Sequence, residues 1–272
     1  LSYSVLAFTL AFLINNVLTV WVDWPGVKKI FSHYELFGFK QKALQGSELN
    51  YGYLQIGIYL ICIAGVILYV FKTYSQTLEH DSEILSKFSA YLVRSSFWAV
   101  FLVGVADFII SFMVVERLWE AIFSPEVKAF MVKSPERITF IHFPIILGSF
   151  IIGYFTKSVG FIWLAVLVVL SEFVIVLSRF IFSYEQAFQG DLVRFWYAAL
   201  YLFASAYALI HEGHVRVDVL YSSFSERKKA WTNSIGSALL GVPLCLIVIF
   251  YGLNGKASII NGPVVAFEVT QQ

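Results

Sequence analysis

The sequence predicts an all-α, polytopic membrane protein with about seven transmembrane helices and amphipathic segments at the membrane surface. Three observations predict it. First, 59% of the 272 residues are apolar and only 14% are charged, whereas a soluble domain carries about 25% charged residues; the mean hydropathy is +0.76. Second, the apolar residues fall in continuous runs close to the roughly 20 residues that cross a hydrocarbon core. They do not alternate as strand residues do. Third, Trp and Tyr stand at several run ends, as in an interfacial aromatic belt. Helix is the required conformation, because lipid offers no hydrogen-bond partner to the backbone.

The runs follow in order. Leu1–Val22 is closed by Trp21 and Trp24, and Tyr51–Phe71 is opened by Tyr51 and Tyr53. Ser95–Val115 comes third, and Ile138–Phe155, short and containing Pro144, fourth. Val159–Phe182, Leu192–Ile210 and Trp231–Leu253, the last with Pro243, complete the set. The connections carry most of the charge, and the one over Lys72–Arg94 is polar and helix-competent. Arg216, Arg227, Lys228 and Lys229 put the last polar loop in the cytoplasm, since cytoplasmic loops are enriched in Lys and Arg. The same rule does not settle the N-terminal half. Small residues four apart (Ser149 and Gly153, Ala204 and Ala208, Ser237 and Gly241) suggest close helix contacts.

The net charge of +1 gives no hint of nucleic-acid binding, and no basic patch is large enough to suggest it. Cys62 and Cys245 both lie in apolar runs. They read as small packing residues and not as a disulfide framework or zinc site. No metal, cofactor or catalytic group is expected.

Two carboxylates lie inside spans, Asp107 in FLVGVADFIISF and Glu172 in LVVLSEFVIVLS. Exposing either to lipid is costly, so each is a functional candidate. The plainer reading is a buried polar contact between helices, with no basic residue paired to either by sequence. Arg179 stands two turns after Glu172 on the same helical face, near enough to the run's end to reach the interface. A haem-binding anchor would need pairs of membrane histidines, and only His142 lies clearly inside a run. A haem- or quinone-binding anchor of a redox complex is therefore the alternative.

The stretch HEGHVRVDVLY, His211–Tyr221, follows the sixth run. His211 and His214, with Glu212 or Asp218, are the donor types of a metal site. Interfacial polar groups are the commoner reading, because Gly213 weakens a helix there. Val215–Val219 is greasy on one side and charged on the other, as in a segment lying on a membrane surface. Ser223 and Glu226 match a capping box that opens the next helix.

Ser178–Phe182 (SRFIF), Gln189–Arg194 (QGDLVR) and AYALIHEGHVRVDVLY, in that order, resemble the small membrane subunit (Q subunit) of tripartite ATP-independent periplasmic (TRAP) transporters. The family's Arg-aromatic signature falls on Arg179 and Phe180. Its acidic and arginine pair falls on Asp191 and Arg194. Its Gly-His-x-x-x-Asp segment falls on Gly213, His214 and Asp218, with Arg216 between. FLVGVADFIISF and FIWLAVLVVLSEFVIV further resemble the subclass with an extended N-terminus.

The resemblance implies an extension of about four helices over residues 1–157 and a core over 158–272. Three core helices are visible, and a fourth is expected beyond residue 272, so the chain is expected to be a piece cut at both ends. It implies a scaffold in the bacterial inner membrane for sodium-coupled, binding-protein-dependent uptake of an organic solute, with a carboxylate the expected class. The implied partners are a large membrane subunit (M), a periplasmic substrate-binding protein and membrane phospholipids. Arg179, Asp191, Arg194, His214, Arg216 and Asp218 are expected at the interface with that subunit or with lipid. Asp107 and Glu172 are expected as buried polar contacts between helices.

Overall fold

The computed structural model describes residues 2–40, 43–132, 134–157, 161–184, 187–210 and 220–261. Among these, every regular element is a helix. In chain order they are α1 (Ser2–Val20), α2 (Val27–His33), α3 (Ser47–Lys72), α4 (Leu78–Val115), α5 (Trp119–Ile122), α6 (Pro125–Val132), α7 (Ser134–Arg137), α8 (Phe143–Phe155), α9 (Phe161–Phe182), α10 (Ala187–Ile210), α11 (Glu226–Gly236) and α12 (Val242–Gly252). Six helical stretches among the described residues are long and apolar enough to cross a membrane. They match the first five expected runs and the seventh. The sixth run lies within α10, a 24-residue helix that is not one of the six.

The third run grows most. Its polar lead-in does not form a separate connection but is the first half of one 38-residue helix, α4. At 1.5 Å per residue α4 is roughly 57 Å long, nearly twice the thickness of the hydrocarbon. Its start is capped by Thr77, whose side chain accepts from the His80 N–H at 3.3 Å. Glu79 and Asp81 stand in the first turn, where negative charge is favourable.

Both in-span prolines produce the same device. Pro144 follows a π-turn over Ile138–His142, and Pro243 follows one over Ser237–Gly241. Proline lacks an N–H and its ring presses on the carbonyl four residues back. One wider turn relieves this and lets each helix continue. Phe143 and Val242 close the two turns through N–H bonds to the Ile138 and Ser237 carbonyls.

The described residues form two units, 2–76 with 220–261, and 77–210. In the first unit α1 packs along α3. Gln55 is fully buried; its Oε1 accepts from the Gly26 N–H at 2.8 Å and its Nε2 donates to Thr19 Oγ1 at 3.1 Å. One side chain thus ties α3 to the end of α1 and to the turn before α2, where Gly26 has φ +80°. Phe12 meets Phe250 of α12 edge-on at 4.5 Å. Asn261 donates to the Leu253 and Gly255 carbonyls and pairs with Asn16. The capping box expected at Ser223 does not form. Ser223 ends a short 3-10 turn and bonds the Leu220 carbonyl, while Ser225 is the N-cap of α11.

In the second unit α4 is the central helix, packed by α8 and α10, with α9 on α10. Residues on both sides of 157/158 contribute to this unit, and α4 shares a core with α9 and α10. Phe97 of α4 joins Leu164 and Val168 of α9 and Leu192, Val193 and Trp196 of α10. Gly104 makes this possible: a Cβ there would sit 2.4 Å from Trp196 Nε1.

Candidate functional site

The most unusual chemistry in the described residues is at the seam between α4 and α8. The seam is antiparallel. At one end Ser95 of α4 faces Gly153 of α8, where a Cβ would come within 2.9 Å of the Ser95 Cα. Ser149, one turn earlier, is also fully buried. The pair Ser149 and Gly153 therefore forms a close helix contact, whereas Ser237 and Gly241 are exposed in their unit. Ala204 is partly buried. Arg94 donates to the Gly153 carbonyl at 3.3 Å and Tyr91 to the Phe150 carbonyl at 3.0 Å. These bonds satisfy carbonyls near the α8 C-terminus, where a cation is also favourable.

At the other end lies Asp107, 5% exposed. Its Oδ1 is 2.7 Å from His142 Nε2 and 3.6 Å from Arg137 Nε. Arg137 is 1% exposed and His142 9%. The π-turn explains the convergence. Residues five apart in an α-helix point about 140° away from each other, and Arg137 and His142 would then diverge. A turn closed by i→i+5 bonds stacks them, and Pro144 enforces that turn. An apolar cluster of Ile110, Val114 and Trp119, with Met113, Val127, Met131 and Ile141 against it, lines the same stretch.

The arrangement is a buried carboxylate shared by an imidazole and a guanidinium. Coulomb attraction and the hydrogen bond to His142 offset part of the cost of burying Asp107 and Arg137 together. Chemically it joins the entry of α8 to the C-terminal part of α4. Ser111 Oγ, one turn beyond Asp107, and Trp119 Nε1 are buried without a hydrogen-bond partner, so polar capacity remains along this face. Among the described residues, no group of three or more His, Cys, Asp or Glu side chains could hold a metal ion.

The other sequence candidates are placed differently from Asp107. Glu172, expected to be buried between helices, is exposed on α9 and has no partner among the described residues. Arg179 is exposed in the last turn of α9. Asp191 and Arg194 pair with each other at 3.4 Å on the open side of α10. His214, Arg216 and Asp218, with the rest of residues 211–219, lie outside the described residues. Two further residues have no individual role assigned from sequence. Arg137 sits in a loop-like stretch ahead of a short run. Gln189 is buried on α10 and donates to the Ser171 carbonyl of α9 at 3.5 Å.

Residues 161–266 match the family described as "Tripartite ATP-independent periplasmic transporters, DctQ component". The match begins at the first residue of α9. Neither a curated relative nor a solved structure matches the chain.

Proposed function

We propose that this chain, which over residues 161–266 is a DctQ-like small membrane subunit of a TRAP transporter, is the scaffold that holds the large membrane subunit in the bacterial inner membrane. The large subunit then carries out sodium-coupled uptake of an organic carboxylate delivered by a periplasmic binding protein. The chain itself carries no catalysis and needs no cofactor. The family match supports the transporter role. The observation in the structure that supports the scaffold role is Glu172. It lies mid-span in α9, exposed, on a helix whose outer side also exposes Val169, Phe173 and Val176. A carboxylate facing hydrocarbon is costly, so a second membrane protein that brings a hydrogen-bond donor is the occupant this face calls for. Arg179, Asp191, Arg194, His214, Arg216 and Asp218 then serve the edges of the same assembly, against the large subunit or lipid headgroups. Asp107 serves inside the chain, fastening α4 to α8.

The N-terminal extension has a role in this reading. Because α4 shares a core with α9 and α10, and α8 packs on α4, the extension stiffens the helices that the family match covers.

The test is reconstitution of the full-length protein with and without its large membrane subunit and binding protein. Uptake should require all three and a sodium gradient. Uptake by this chain alone would overturn the scaffold reading. Glu172→Leu should cut co-purification of the large subunit by more than tenfold. Loss of one partner from a buried, hydrogen-bonded contact costs roughly 2 kcal/mol or more. The variant should leave the chain's own melting unchanged. Undiminished co-purification would remove Glu172 from the interface.

A further inference from the structure

The N-terminal turns of the helical stretch Glu226–Gly252 carry a groove that no role above uses. It is shallow and largely open, lined by Phe224, Arg227, Lys228, Trp231, Ile235 and Gly236, among others. Positions 227, 228, 231 and 235 repeat at helical spacing, so they form one stripe on α11, with Phe224 just ahead of the helix. The stripe is graded. Arg227 and Lys228 stand at its start, Trp231 one turn on, and Ile235 with Gly236 a turn further. Gly236 has open space where a side chain would be, which leaves a notch at the apolar end.

The charges are also sorted. Lys229 bonds Glu226 at 3.1 Å and lies 5.9 Å over the Tyr221 ring. Arg227 and Lys228 have no acidic partner among the described residues. The helical stretch Glu226–Gly252 has 27 residues, roughly 40 Å at 1.5 Å per residue. That exceeds the hydrocarbon thickness by about 10 Å, or nearly two turns. The apolar residues lie at its far end, so its first turns, with both cations, stand at headgroup level. Trp231 marks the interface.

We propose that this groove is a binding site for an anionic phospholipid. The phosphate sits between Arg227 and Lys228, the glycerol backbone lies against Trp231, and the start of an acyl chain runs along Ile235 into the notch at Gly236. The order of charge, amphipathic ring and apolar notch along one stripe matches the order of a lipid from headgroup to tail. A soluble phosphate would use only the first part. The proposal does not depend on the transporter assignment, only on the last helix crossing a membrane.

The test uses the full chain in nanodiscs of phosphatidylcholine with or without phosphatidylglycerol, followed by native mass spectrometry of the lipid that stays bound. The wild type should retain phosphatidylglycerol over phosphatidylcholine. An interfacial Lys or Arg contributes about 1 kcal/mol toward anionic lipid, or fivefold. Arg227→Gln with Lys228→Gln should therefore lower retention about 25-fold, and less in high salt. Gly236→Leu should lower retention without a change of charge. Lys256→Gln, which removes a cation paired with Asp23, should not lower it. Equal retention by the double Gln variant, or no preference between the two lipids, would overturn the proposal. So would displacement by millimolar inorganic phosphate, which would show a free-anion site. A crosslink from this face to a partner's acidic segment, with lipid excluded from the assembled complex, would also overturn it.

Discussion

Replacing Asp107 with Ala removes the acceptor shared by His142 and Arg137 and leaves a guanidinium that is 1% exposed without its carboxylate. At 3.6 Å and an effective dielectric near 20, the lost attraction is about 5 kcal/mol. Breaking a buried ion pair by removing one partner costs about 3–5 kcal/mol. The two figures agree, and the hydrogen bond to His142, at 2.7 Å, falls within them. For a chain of this size each kcal/mol lowers the melting temperature by roughly 2–4 °C. The expected drop is therefore about 6–20 °C, read by fluorescence-detected gel filtration of heated, detergent-solubilised protein. His142→Ala removes only the hydrogen bond and should cost about 1.5–3 kcal/mol. The decisive variant is Asp107→Leu with Arg137→Met. It removes the pair together and should recover most of the loss, because a buried pair contributes little over apolar residues of similar size. If Asp107→Ala melts within about 2 °C of the wild type, or if the double variant is as unstable as the sum of the singles, the buried-pair reasoning fails.

Other contacts give sharper contrasts. Gly153→Ala should destabilise by about 1–3 kcal/mol through overpacking, because its Cβ would come 2.3 Å from Ser95 Oγ. Gly148→Ala on the same helix meets nothing within 4 Å and should melt like the wild type or slightly higher. Gln55→Leu should cost about 1–3 kcal/mol, because it strands the Gly26 N–H that Gln55 accepts in the buried turn before α2; Gln55→Glu keeps an acceptor there and should cost less if its carboxyl is neutral. Pro144→Ala should let the π-turn relax toward regular helix, weakening the stacking of Arg137 and His142. Its melting should fall in the wild type but not in the Asp107→Leu, Arg137→Met background.

Hydropathy is a local property, and so the spans were legible from residue order alone. Most of the expected runs are helices within a few residues of their expected ends. Where the ends moved, an interaction outside the apolar run moved them. Lys72–Arg94 is too polar to count as span, yet Thr77 caps it and Arg94 bonds across to Gly153, so α4 continues through it. The family-bearing motifs were legible for a similar reason, since each is a short string with fixed spacing. Ser149 and Gly153 were legible as a contact; their partner Ser95 was not.

The sequence by itself determined that the chain is an all-α membrane protein, where its long apolar segments lie, and which family its C-terminal part matches. Each of these follows from transfer free energy summed over neighbouring residues or from a local string. Only the tertiary structure decided the fate of the two in-span carboxylates. Asp107 and Glu172 look alike in sequence, each a single acid inside an apolar run. Asp107 is met by His142 and Arg137 from 35 and 30 residues further on, through a turn that Pro144 distorts. Glu172 meets nothing in the described chain and faces outward. What separates them is which helix face turns toward a neighbour carrying a donor. Periodicity places a residue on a face, but only packing decides what that face touches.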